Sequence, residues 1–151
     1  MYRSRDVFVG VLFTIGWFLF TYRGYALVDS IVGKAACVSA LLVALFPSSG
    51  TATEYHIHVV ASVILFSLLS FYTLGIFTKT SGMLTKQKII RNRAYRTCGG
   101  VIIGSMLTVI LFNIHPFLAE LPIVLICETL ALWAFGFSWF VKGETFWKDT
   151  V

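Results

Sequence analysis

Charge is what this chain has least of. Only 13% of its 151 residues are charged, seven acids against twelve bases, while 58% are hydrophobic and the mean hydropathy is +0.85. Soluble domains carry roughly 25% charged and about 45–50% apolar residues. A soluble core could not absorb the excess without exposing it, whereas lipid accepts it, so composition points to an integral membrane protein. Cysteine and proline are scarce too, three of each. Cys37, Cys98 and Cys127 fall within or at the end of apolar runs, form no CxxC or zinc spacing, and read as small buried hydrophobes. Catalytic signatures are missing: there is no HExxH, no GxSxG and no glycine-rich phosphate loop, which argues against nucleotide hydrolysis and against an assembled serine or cysteine nucleophile. No small-residue cleavage pattern follows the N-terminal MYRSRDVF, so the first apolar run is read as a span, not a removed signal.

What is present is a series of apolar runs. Residues 6–22 are fenced by Arg5 and Arg23 and are short, but within the roughly 17–25 residues that a spanning helix needs. Arg23-Gly24-Tyr25 reads as a turn. Residues 28–46 form a second span, interrupted near its start by Asp29 and Lys34; Lys34 is tolerable there only if its ammonium snorkels to the interface. Pro47-Ser48-Ser49-Gly50 stops that helix. Residues 57–77, 97–114 and 122–141 complete five predicted spans, with the His115-Pro116 turn closing the fourth and Lys142-Gly143 the fifth. Between the third and fourth lies the basic stretch 78–96, TKTSGMLTKQKIIRNRAYR, which holds Lys79, Lys86, Lys88, Arg91, Arg93 and Arg96, half of all the basic residues.

That stretch sets the expected threading. If it is cytoplasmic, alternation places Arg23, Lys34, Lys142 and Lys148 inside with it and leaves only Arg3 and Arg5 outside. The excess of Lys and Arg in short cytoplasmic loops then predicts an N-terminus outside and a C-terminus inside. An N-terminus with two arginines must then cross without a preceding helix; either the later loops set orientation, or an upstream span is missing. Close-packing signals are Gly100-Val-Ile-Ile-Gly104, a GxxxG, and Ala36, Ala40 and Ala44 on one stripe of the second helix, which suggest that helices two and four lie inside a bundle.

Several strings together carry a resemblance: RDVFVG at 5–10, FLFTYRGY at 18–25, FTKT at 77–80, RNRAYRTCG at 91–99 and ETLALWAFGFSWFVKGE at 128–144. They resemble a set of small, uncharacterised bacterial multi-pass inner-membrane proteins over most of the chain, a resemblance that implies an inner-membrane location and no known activity. More distantly, the arrangement is similar to the damage-regulated autophagy modulator and Frag/Sfk type of membrane protein, with a His near the start of one span and a Glu in the last. The closer set implies one more helix upstream of RDVFVG, which bears on the same threading question.

With this topology, Asp6, Glu54, His56, His58, His115, Glu120 and Glu128 gather at or near the outer face. Glu128 is the sharpest of them: placed about 9 Å into the fifth span at ~1.5 Å per residue, it needs pairing, protonation or a wet cavity. Either it accepts hydrogen bonds from Thr129, Ser62, Ser105 or Thr108 and fixes packing, or it belongs to a polar intramembrane site with His58, His115 and Asp6. His58, His115 and Glu128 are zinc-ligand types, and a zinc hydrolase site needs three such ligands and an open position; a haem between His58 and His115 is chemically feasible. Neither has supporting spacing, and no cofactor is expected. Lys86, Lys88, Arg91, Arg93 and Arg96 are expected to contact anionic lipid headgroups, from a short interfacial helix leading into span four. Nucleic acid is not expected as a partner, because no base-reading module accompanies the charges. Trp139 and Trp147 fit an interfacial belt, while Trp17 and Trp133 lie deeper.

The sequence thus predicts one all-α domain of five membrane helices. The expected function is non-enzymatic: a lipid-interacting or structural subunit of a homo-oligomer or larger membrane complex. The alternative is an ion or proton pore, or a metal-dependent membrane hydrolase, with its site at the outer leaflet around Glu128 and the histidines.

Overall fold

The structure, a computed structural model, describes residues 2–24, 26–80, 85–114 and 122–148, with side chains from Asp6 onward and, in the fourth helix, as far as Phe112. Five helices follow one another: α1 Tyr2–Thr21, α2 Leu27–Leu45, α3 Ala52–Phe71, α4 Lys86–Ile114 and α5 Ile123–Lys142, with α3 running on into a π-helical segment, Tyr72–Ile76. The all-helical class predicted from sequence holds, and among the described residues no strand occurs. Among the described residues, four stretches are long and apolar enough to cross a membrane: Leu27–Leu45, Ala52–Ile76, Lys86–Phe112 and Ile123–Lys142. The apolar part of α1, Asp6–Thr21, is shorter.

The chain forms two compact units, Met1–Leu68 and Leu69–Val151. In the first, α1 packs on α2. The contact is close because both helices offer small residues at the same level: a Cβ on Gly16 would sit 3.6 Å from the Ala40 Cβ and 3.6 Å from the Cys37 carbonyl oxygen. Ala36, Ala40 and Ala44 are all buried, as are Leu12 and Leu19 two turns apart on α1. The expected small-residue stripe of α2 is therefore in use, and its neighbour is a glycine.

α3 begins at a capping box. Thr51 N–H donates to Glu54 Oε2 at 2.6 Å, and Glu54 N–H donates to Thr51 Oγ1 at 3.3 Å, so Thr51-Ala-Thr-Glu54 satisfies two of the amide donors that a helix start leaves without partners. This helix starts five residues before the predicted 57, because hydropathy does not register a polar first turn.

In the second unit, α4 packs on α5 and on the π-helical segment. The predicted basic stretch 78–96 is not all connection: from Lys86 it is helix, continuous with the apolar part of α4 for 29 residues. The buried positions explain why. Lys88, Arg91, Tyr95, Cys98, Gly99, Ile102 and Ser105 recur at three- and four-residue steps, so one stripe runs unbroken from the charged part into the apolar part. Gly99 is where the π-helical segment comes closest, since a Cβ there would overlap the Leu74 side chain and lie 2.9 Å from Thr73 Oγ1. The GxxxG pair faces elsewhere. A Cβ on Gly100 or Gly104 would meet nothing within 4 Å, so the expectation that this pair packs helix four into a bundle is not met among the described residues; the neighbouring Gly99 provides the close approach.

Candidate functional site

The second unit has an aromatic centre. Tyr72, Phe77, Tyr95, Phe135 and Trp139 stand with ring centroids 5.5 to 6.4 Å apart. The π-helical turn assembles it: Phe77 N–H donates to Tyr72 O, five residues back, at 2.9 Å, and the wider turn lets Tyr72, Thr73, Ile76 and Phe77 all be buried.

Cations close this centre at the end where α4 starts and α5 finishes. Lys88 Nζ donates to Phe77 O at 3.0 Å and lies 5.6 Å from the centroid of the Tyr95 ring. Lys142 Nζ lies 5.9 Å from the centroid of Phe77. Arg91 donates through one guanidinium nitrogen to Trp147 O at 2.9 Å, and the same nitrogen is 3.2 Å from Glu144 Oε1. Glu144 and Trp147 can be reached because the chain doubles back after α5, with both residues at positive φ, 55° and 53°.

These contacts divide the five basic residues assigned to lipid headgroups. Lys88 and Arg91 are only 8% and 4% exposed and take part in interior contacts. Lys86, Arg93 and Arg96 are exposed. At about 100° per residue, the second set lies on the face opposite the buried stripe, and Ile89 and Ile90 lie on that face too, 43% and 41% exposed. The charge run is thus divided between a buried and an exposed face of one helix.

The polar residues expected at the outer face belong to both units. Asp6 is exposed on α1. His58 is partly buried, with Nδ1 2.8 Å from Phe46 O, the carbonyl just past the end of α2; the histidine thereby ties the α2–α3 connection. His56 is exposed, and Glu54 is held in the capping box. Glu128 is half-buried on α5, next to the buried Cys127. Two of its suggested donors are engaged along their own helices, Thr129 Oγ1 with Leu125 O at 2.7 Å and Thr108 Oγ1 with Gly104 O at 2.8 Å. Ser62 Oγ is buried without a hydrogen-bond partner. His115 and Glu120 lie outside the described residues. Among the described residues, no three His, Cys, Asp or Glu side chains come together as a metal site would require.

One acid that the sequence marks only as an interruption of the second span is buried. Asp29 is fully buried near the start of α2, where its Oδ2 accepts from the Ala26 N–H at 3.2 Å. The signal was its position three residues after the helix boundary, the usual place for an acid that caps a helix start. Nearby, a cavity of about 720 Å³ opens between the end of α1 and the start of α2, with Arg23 and Lys34 in its wall. No family model, curated protein or solved structure matches this chain.

Proposed function

We propose that this is a non-enzymatic multi-pass membrane protein that binds anionic lipid along the first turns of α4 and serves as a structural subunit of an oligomer or larger complex. The observation that carries the reading is the exposed face of Lys86, Ile89, Ile90, Arg93 and Arg96. Three cations interleaved with two isoleucines match a headgroup layer, in which ammonium and guanidinium groups meet phosphates and the aliphatic chains reach the acyl boundary. Length supports it. At ~1.5 Å per residue, the 29 residues of α4 extend about 43 Å, against a hydrocarbon core of roughly 30 Å, so the basic end reaches the headgroups while the apolar part spans.

A cytoplasmic position for this end follows from the excess of basic residues on its side of the predicted topology, and a bacterial inner membrane is the location that the resemblance implies. The open Gly100–Gly104 face supports association of copies, because glycines without a neighbour let a second helix approach closely.

The test is reconstitution into vesicles of phosphatidylcholine with and without phosphatidylglycerol, followed by counting the lipids that co-purify. The triple variant K86Q/R93Q/R96Q is expected to lose most of the preference for phosphatidylglycerol with its helix content unchanged. Equal preference in wild type and variant would sink the proposal.

A further inference from the structure

We propose that the cavity between α1 and α2 is a second, discrete site, which holds the phosphate of a single anionic phospholipid. It is lined by Phe20, Thr21, Arg23, Leu27, Ser30 and Lys34 among others, and its volume of about 720 Å³ lies within the roughly 300–1,000 Å³ of ligand sites.

Lys34 is the first of its two cations. A lysine seven residues into an apolar helix sits about 10 Å from the helix start at ~1.5 Å per residue. Helical side chains lean toward the N-terminus of their helix, so the long Lys34 chain runs back over Ser30 toward the α1–α2 turn, where Arg23 stands. Two cations, one on α2 and one just past the end of α1, thus line the same cavity. Both are exposed, and among the described residues neither has a carboxylate partner. The acid of this region, Asp29, does not line the cavity: it is fully buried behind Gly24, on which a Cβ would overlap the Asp29 side chain, and it accepts from Ala26 N–H. Because Asp29 already occupies the helix start, the attraction for an anion comes from the two side chains and not from the helix end.

The rest of the wall selects a lipid over a free anion. Phe20 and Leu27 line the same cavity and are 50% and 78% exposed, which gives an acyl chain an apolar surface beside the cations. Thr21 does not compete with the cations for the phosphate, since its hydroxyl lies against Trp17 O and Phe18 O at 3.2 and 3.1 Å. This site shares with the α4 face only the placement in a membrane; its residues and its helices are different.

The experiment is native mass spectrometry of the detergent-solubilised protein titrated with phosphatidylglycerol, with phosphatidylcholine and inorganic phosphate as parallel probes. In the K86Q/R93Q/R96Q background, which removes the α4 face, one phosphatidylglycerol is expected to be retained per chain, and phosphatidylcholine is not. R23Q or K34Q is expected to weaken retention about fivefold and the double variant roughly 30-fold, as two charges near a lipid surface supply. R23K/K34R keeps both charges and is expected to keep the lipid, which separates loss of charge from loss of fold. K86Q/R93Q/R96Q is expected to leave this one lipid in place, so failure here and failure of the α4 reading are distinguishable. Undiminished retention by R23Q/K34Q overturns the site. Displacement of the lipid by millimolar inorganic phosphate overturns the lipid assignment in favour of a soluble anion.

Discussion

The Lys88 ammonium donates to the carbonyl oxygen of Phe77, eleven residues earlier in the chain, at 3.0 Å. This bond pins the first turn of α4 to the residue that follows the π-helical segment. A hydrogen bond to a charged group contributes about 1.5–3 kcal/mol. Lys88→Met keeps the aliphatic stem but leaves the Phe77 carbonyl without this donor, and is expected to destabilise the second unit by about 2 kcal/mol. Lys86→Met, two residues away on the exposed face, is expected to change stability by less than about 0.5 kcal/mol. Denaturant unfolding in detergent, followed by circular dichroism, measures both; equal effects would remove the distinction between the two faces.

Neighbouring glycines on α4 give a second contrast. Gly99→Ala places a methyl group against Leu74 and Thr73 and is expected to cost about 1–3 kcal/mol through overpacking. Gly100→Ala meets open space and gains helix propensity, so it is expected to be neutral or stabilising by up to about 1 kcal/mol. Thermal unfolding of the two variants side by side reads the difference, and a destabilising Gly100→Ala would place a close neighbour on that face.

Why the basic stretch was only half legible is visible in these residues. Net charge along 78–96 points to headgroup contact from a short interfacial helix leading into span four, because sequence patterning weighs Lys88 and Arg91 as polar whatever they touch. Their spacing with Tyr95, Cys98 and Ile102 was available, but the tie to Phe77 O and the chain reversal that brings Glu144 and Trp147 to Arg91 are tertiary facts with no local signal. The span centres, by contrast, follow from hydropathy alone, and the five predicted runs fall on the five helices. The polar cluster expected at the outer face rests on topology, which places residues at a depth but not beside one another; the bond of Glu54 to Thr51 N–H is legible from the helix start, while that of His58 to Phe46 O, twelve residues away, is not.

The pair of bonds between Thr51 and Glu54 can be broken one side at a time. Thr51→Ala removes one half of the α3 capping box and is expected to cost about 1 kcal/mol, and Glu54→Gln, which can still accept from Thr51 N–H, less than that. Hydrogen exchange of the amides in the first turn of α3 is the sensitive readout, since loss of a cap frays the helix locally before it unfolds the unit. Unchanged protection in Thr51→Ala would mean that the helix start is held by something other than the box.

Gly100 and Gly104 lie one turn apart, and a Cβ on either would have no atom within 4 Å, while exposed Val101, Leu107 and Leu111 lie near them on α4. In lipid, helices associate through packing, and two glycines one turn apart let backbones approach where larger side chains would hold them off. Gly100→Ile/Gly104→Ile is therefore expected to lower the dimer fraction in detergent at least several-fold, measured by sedimentation or by light scattering after size exclusion, while monomer stability is preserved because neither glycine packs inside its own unit. Gly99 supplies the internal standard: its replacement by Ile should unfold the unit before it affects association. A double variant with undiminished dimer would move the subunit contact to another face, of which the strip around Trp133, 75% exposed on α5, is the next to mutate.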